Sequence, residues 1–241
     1  MNMAPNIVRL PEINKALLTW QDLVGRRRRV VGLAQQDATG MVSFRYILGD
    51  NLDEARQGGF EGYPAFPYFD KEYTNGVLQS FESRLPSSQR RDFAKYLEYW
   101  FVDVDAQPTT FQLLAHTGAA LPRDGFRFLP VLPTNGVVEF VTELAGSRYY
   151  LENIVPKGSE GQLIVGQQLV FRPDRDNEMD PNAVEVLRKQ DGFRIGYLMR
   201  GLAEQARTWN AEVLSTIARI NGTEQRPIVL ARVRADFNKQ M

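Results

Sequence analysis

Leu169-Val170-Phe171-Arg172-Pro173-Asp174-Arg175-Asp176-Asn177-Glu178-Met179-Asp180-Pro181-Asn182-Ala183-Val184-Glu185-Val186 is followed closely by Gly192-Phe193-Arg194-Ile195-Gly196-Tyr197-Leu198-Met199-Arg200. Short apolar pieces alternate here with a loop rich in Asp, Asn and Pro and with a glycine, which predicts strands over 168–171, 183–187 and 193–198. The same two-residue period continues outward. It predicts strands over 137–144 and 148–155 on one side, and over 227–233 on the other. Between them Leu202, Ala206, Trp209, Val213, Ile217 and Ile220 fall on one helical face, so a helix is expected there. Short strands with one or two helices make a small barrel.

Upstream of Pro133-Thr134-Asn135-Gly136 the period is nearer 3.6, which sets a domain boundary and divides the chain into 1–134 and 135–241. Val30-Val31-Gly32-Leu33, a turn-rich segment and Val42-Ser43-Phe44-Arg45-Tyr46 read as a hairpin. The stretch 58–69 holds too many Gly and Pro residues for a helix interior. A helix with Asn75 as N-cap follows, with Val77, Leu78, Phe81 and Leu85 on its apolar face and Pro86 at its end. A second, opening at Ser87 or Ser88, buries Phe93, Tyr96, Leu97 and Trp100. A third runs from about Thr109 to a stop at Gly118. The expected fold class is therefore α+β: a small N-terminal sheet with packed helices, then a C-terminal β-barrel with one or two helices.

Composition removes whole classes of chemistry. The 241 residues include no cysteine, which excludes thiolate metal sites, disulfides and cysteine nucleophiles. One histidine, His116, leaves no material for a histidine pair or a multi-histidine metal centre. Its place beside Gly118 suggests a structural role, with the imidazole meeting helix-end carbonyls. Lys plus Arg equal Asp plus Glu at 29 each, so any attraction to nucleic acid has to be local. No apolar run suggests a signal peptide or a membrane span, and a cytoplasmic protein is expected.

Motif searches are mostly negative. Neither G-x-x-x-x-G-K-[ST] nor G-x-G-x-x-G occurs, and kinase or ATPase chemistry has no visible home. Arg26-Arg27-Arg28-Arg29 reads either as a phosphate-binding patch or as a solvated turn. Asp103 with Asp105, and Asp174 with Asp176, offer too few oxygens for a hard cation. No metal, no cofactor and no catalytic residue is expected, and a hydrolase is the least favoured reading.

Ser147-Arg148-Tyr149-Tyr150, the loop ending in Asp180-Pro181-Asn182-Ala183, the apolar strand after it and Gly196-Tyr197-Leu198 occur in this order. That succession resembles the HIRAN domain. The resemblance implies a six-stranded barrel related to the OB-fold, with a pocket that captures the 3′ end of single-stranded DNA. Carried onto this chain, Arg148 meets a phosphate, Tyr149 stacks on a base and Asp180 accepts a bond from the terminal hydroxyl. Tyr197 and Arg200 line the rim. Met179 stands where members that bind DNA ends often carry tyrosine; losing one aromatic platform, worth roughly 1–3 kcal/mol, weakens binding about ten-fold or more. The alternative for the same residues is a side-chain-capped turn at Asp180 and Asn182, with Tyr149 in the barrel core.

The first half carries a looser resemblance. Val31-Gly32-Leu33, the hairpin ending at Tyr46, Pro64-Ala65-Phe66-Pro67, Phe81-Glu82-Ser83-Arg84-Leu85-Pro86 and the segment from Phe111 to Gly118 are similar to the N-terminal subdomain of HipA-type toxin kinases, without the kinase core. The resemblance implies an interaction module. It makes a separately encoded Hip-type serine/threonine kinase the expected partner, with this chain as antitoxin or regulatory subunit. Tyr63, Phe66, Tyr68 and Phe69 are then candidate partner contacts, or else rings that pack over the helices. The competing function is a DNA-end-binding accessory factor in repair or phage defence with no kinase partner. Whether a helix-turn-helix protein joins the assembly stays open.

Overall fold

The computed structural model describes residues 10–22, 24, 26–122, 124–151, 163–223 and 226–239. They fall into two compact units that meet in the chain between Pro133 and Thr134.

The first unit is an antiparallel five-stranded sheet. Its strands are β1 (Lys15–Gln21), β2 (Arg28–Gln36), β3 (Val42–Tyr46), β4 (Glu72–Tyr73) and β5 (Phe126–Pro130), in the order β4-β3-β2-β1-β5. The expected hairpin is β2–β3. Its turn is closed by the Asp37 carboxylate, which accepts the Thr39 and Met41 amides at 2.8 and 3.0 Å. Four helices flank the sheet: α1 (Asp50–Gln57), α2 (Val77–Glu82), α3 (Phe93–Tyr99) and α4 (Thr110–Thr117). The core is aromatic: Phe44, Phe81, Phe111 and Phe128 are completely buried, and the Phe81 and Phe128 rings meet edge-on at 4.7 Å.

Helix α4 follows its sequence signals closely. Thr109 and Gln112 form a reciprocal capping box, and Gly118 ends the helix at φ 75, where a side chain would be strained. The other two helices depart from expectation. Gly76, in the left-handed region, takes the N-cap position of α2 in place of Asn75. Helix α3 begins at Phe93, five or six residues after the expected serine, because Ser87 binds the Gln89 amide and Arg90 clamps Asp92, which favours local turns over a first helical turn. Only Leu97 of its expected stripe is fully buried.

The second unit contains β6 (Val137–Glu143), α5 (Ser147–Leu151), β7 (Gln168–Pro173), β8 (Val184–Arg188), β9 (Arg194–Tyr197), α6 (Leu202–Ala206), β10 (Glu212–Thr223) and β11 (Arg226–Asp236). The strand order is β6-β11-β10-β7-β8-β9, antiparallel throughout. The curled sheet closes on itself just after β6, where Ala145 and Tyr197 exchange both backbone bonds at 2.8 and 2.9 Å. Gly196 makes that approach possible, since a Cβ there would lie 2.6 Å from the Ala145 carbonyl. Phe140, Ile195, Leu202 and Ile217 fill the interior.

Two expectations for this unit are corrected. Residues 148–151 are helical, not extended: Ala145 has spent its backbone groups on Tyr197, Gly146 turns the chain at φ 72, and the Tyr149 amide donates back to Gly146. The remainder of that expected strand, 152–155, lies outside the described residues. The long helix expected over 202–220 is instead the short α6 followed by β10. Val213, Thr216, Ile217 and Ile220 are β-branched and favour extension, and a bulge between Ile217 and Arg219 shifts the strand by one residue. That shift gives the apolar residues a spacing that imitates a helical face.

Candidate nucleic-acid interface

Two groups of expected site residues emerge in the second unit. On α5, Tyr149 is 66% exposed, and the Arg148 guanidinium lies over its ring at 4.4 Å and bonds to its hydroxyl. Tyr149 is therefore a surface ring and not part of the barrel core. An exposed aromatic face with a cation beside it suits a base and its phosphate.

The second group lies on the loop between β7 and β8. Asp180 spends one carboxylate oxygen on the Asn182 amide at 3.0 Å, and its other oxygen is 3.8 Å from Nε of Arg200. The expected capped turn is therefore present, yet it leaves the second oxygen without a close bond. Arg200 stands between two carboxylates, with Glu204 at 4.0 Å. Burial pushes the Glu204 carboxyl above the usual range, against the pull of Arg200. Met179 is exposed on the same loop. Arg207, just past α6, holds the loop from the far side through the Pro181 carbonyl and the Asn182 side chain.

Tyr197 is not a bare rim residue. Its hydroxyl donates to Asp174 at 2.7 Å, its ring meets Tyr150 at 6.0 Å, and the Arg194 guanidinium faces both rings. Burial raises the Tyr197 hydroxyl well above the ordinary tyrosine range, and the bond to Asp174 and the nearby Tyr150 hydroxyl add to that. Asp174 is shifted downward, chiefly by the bond from Tyr197. Beneath them Glu185 of β8 is buried and accepts bonds from Arg172 of β7 and from Arg194 of β9. From sequence alone Asp174 offers only half of a weak cation site. Tyr150, Glu185 and Arg194 carry no sequence mark of the roles they have here. Asn177 carries a usable signal, since Asn in a polar loop is suited to bonding backbone amides two and three residues ahead.

Other candidates prove to be structural. The Asp103 carboxylate accepts the Asp105 amide and caps a short turn. Within the arginine run, Arg26 and Arg27 are exposed in a turn whose amides bond to the Asp22 carboxylate, as a solvated turn requires, whereas half-buried Arg28 bonds to Thr19, Gln21 and the Gly125 carbonyl and buried Arg29 pairs with Glu54. His116 is buried and donates from Nε2 to the Trp100 carbonyl at 3.1 Å, at the end of α3 and not of its own helix. Burial lowers its pKa to about 4. Tyr63 and Phe66 lie in the aromatic core, where Tyr63 stacks on Phe66, so neither offers a contact surface. Phe69 is half-buried under Arg56, and Tyr68 alone of the four is exposed.

A six-stranded antiparallel sheet that closes after its first strand, with a short helix at the closure, makes this unit a small barrel. Residues 137–225 match the family model of the HIRAN domain, and this part of the chain is a HIRAN domain. The crystal structure of the HIRAN domain of human HLTF aligns with 19% identity over 42% of this chain and 78% of that one, at a TM-score of 0.31. No curated protein matches the chain. The HipA-type resemblance of the first half lies outside the matched residues and rests on its sequence motifs.

Proposed function

We propose that the HIRAN domain binds DNA and captures single-stranded 3′ ends at the surface formed by α5 and the β7–β8 loop. The observation that carries this reading is Tyr149, a large ring left two-thirds exposed with a cation against it, on a helix whose Tyr150 packs on Tyr197, the residue bonded to Asp174 at the start of the β7–β8 loop. In this reading Tyr149 stacks on a base and Arg148 meets a phosphate. Asp180 accepts the terminal hydroxyl on the oxygen that the turn does not use, and Arg200 steadies it. Met179 provides an apolar contact in place of an aromatic one.

Fluorescence anisotropy with 5′-labelled single strands tests the reading, using free and blocked 3′ hydroxyls with wild type, Arg148→Ala and Asp180→Ala. A blocked end should weaken wild-type binding and leave Asp180→Ala unaffected, whereas Arg148→Ala should weaken both. Equal binding across all combinations refutes it.

The HipA-type resemblance supports a second role for the first unit, docking on a Hip-type kinase as antitoxin or regulatory subunit, with Tyr68 as the exposed aromatic available for contact. Co-expression with such a kinase followed by affinity purification tests that role. Failure of the kinase to co-purify leaves the accessory-factor alternative.

A further inference from the structure

The two halves of the proposed site are joined by a continuous chain of side chains. Tyr150, adjacent to Tyr149 on α5, packs its ring against that of Tyr197 of β9, with centroids 6.0 Å apart. The Tyr197 hydroxyl donates to Oδ2 of Asp174 at 2.7 Å, and the Asn177 amide nitrogen donates to the same oxygen at 3.2 Å. The Asn177 side-chain oxygen then accepts the backbone amides of both Met179 and Asp180, each at 3.0 Å. The Asp174 amide donates to the Ala183 carbonyl at 2.9 Å and pins the base of the loop.

This arrangement suits positioning. A polar loop ten residues long, from 174 to 183, has a large conformational entropy to lose when it orders on a ligand. Here its two central amides are already held by one side chain, and that side chain is fixed to the strand that closes the barrel. The geometry points to Tyr150, Tyr197, Asp174 and Asn177 as positioning residues: they hold the α5 half and the Asp180 half of the site in register before ligand arrives. Tyr197 thereby acts through Asp174 and not by touching DNA. The inference rests on the DNA-capture reading for its functional consequence, but the brace itself is measurable without DNA.

Two readouts test it. In the free protein, amide hydrogen exchange by NMR should show Met179 and Asp180 exchanging roughly 5- to 10-fold faster in Tyr197→Phe and in Asn177→Ala, the loss expected for one hydrogen bond. The Ile217 amide, bonded to Gln167 in the sheet, should keep its wild-type rate in both. Asp174→Asn retains an oxygen for both donors and should keep the loop rates near wild type, whereas Asp174→Ala should not. With 3′-hydroxyl strands, Tyr197→Phe and Asn177→Ala should each weaken binding by about the same factor, and together by less than the product, because both break one chain of contacts.

Unchanged exchange at 179 and 180 in Tyr197→Phe overturns the brace, as does an Asp174→Asn protein no better than Asp174→Ala. Faster loop exchange in a protein whose wild type ignores DNA supports the brace and refutes the DNA reading. Variants that accelerate exchange but bind 3′ ends at full strength overturn the positioning role.

Discussion

Removing both arginines that hold Glu185 should cost about 1–2 kcal/mol more than the sum of removing each. The Glu185 side chain is 3% exposed, while its partners Arg172 and Arg194 are 63% and 36% exposed. The carboxylate is thus the group that cannot regain water, and each arginine can. Arg172→Met leaves two bonds from Arg194, at 2.7 and 2.6 Å, so its cost should be near that of a surface pair, about 0.5–1 kcal/mol. Arg194→Met leaves the Arg172 bond in place and should cost about 1–2 kcal/mol. The double variant strands a buried charge, for which about 3–5 kcal/mol is typical. The excess over additivity should therefore be about 1–2 kcal/mol. Equilibrium urea unfolding of the four proteins measures it, with an unchanged m-value as the check that the native state is intact. Adding Glu185→Leu to the double variant should restore much of the loss. Single effects that sum to the double effect within about 0.5 kcal/mol would refute the reasoning.

His116 should make the first unit acid-sensitive. Its folded pKa is depressed from 6.5 to about 4, so the unfolded chain takes up the proton first. Stability is therefore full above about pH 6.5 and falls as pH drops toward 4, by about 3 kcal/mol in all. Thermal melts across that window should show His116→Gln losing this pH dependence, and an identical slope in the variant would disprove the assignment. Gly196→Ala places a methyl against the Ala145 carbonyl and should destabilise the barrel by about 1–3 kcal/mol, read as a lower urea midpoint; a neutral result would mean that the closure is not tight. Tyr149→Ala should weaken single-strand binding by about 1–3 kcal/mol in Kd while leaving the melting temperature unchanged, because the ring is exposed. A drop in melting temperature with normal binding would make the ring structural.

Periodicity was a sound guide wherever one face of an element was buried and its ends were chemically marked. Helix α4, with Thr109, Gln112 and Gly118, is such a case, as are β2–β3 and the strands on either side of the Asp174–Ala183 loop. It failed at β10, where a bulge broke the two-residue alternation and left apolar residues at helical intervals. It failed also at Arg148–Leu151, whose strand-like composition is overruled because Ala145 is committed to Tyr197 and Gly146 turns the chain. Both failures have a long-range cause that local propensity does not contain.

The same division runs through the site. The order of motifs along residues 137–225 sufficed to identify the HIRAN domain, because a family pattern is a property of residue types and spacing. Burial is not such a property. The pattern that marked Tyr63, Phe66, Tyr68 and Phe69 as one aromatic surface could not tell that two of them pack against Phe81, since that depends on which groups the sheet brings together. Asp174 likewise looked like a loop carboxylate until β9 placed the Tyr197 hydroxyl against it. The chain itself fixes which chemistry is present, with no thiol and a single imidazole. Packing of the helices on the sheet in the first unit, and closure of the barrel in the second, decide which of those groups face water and which are held by a neighbour far away in the sequence.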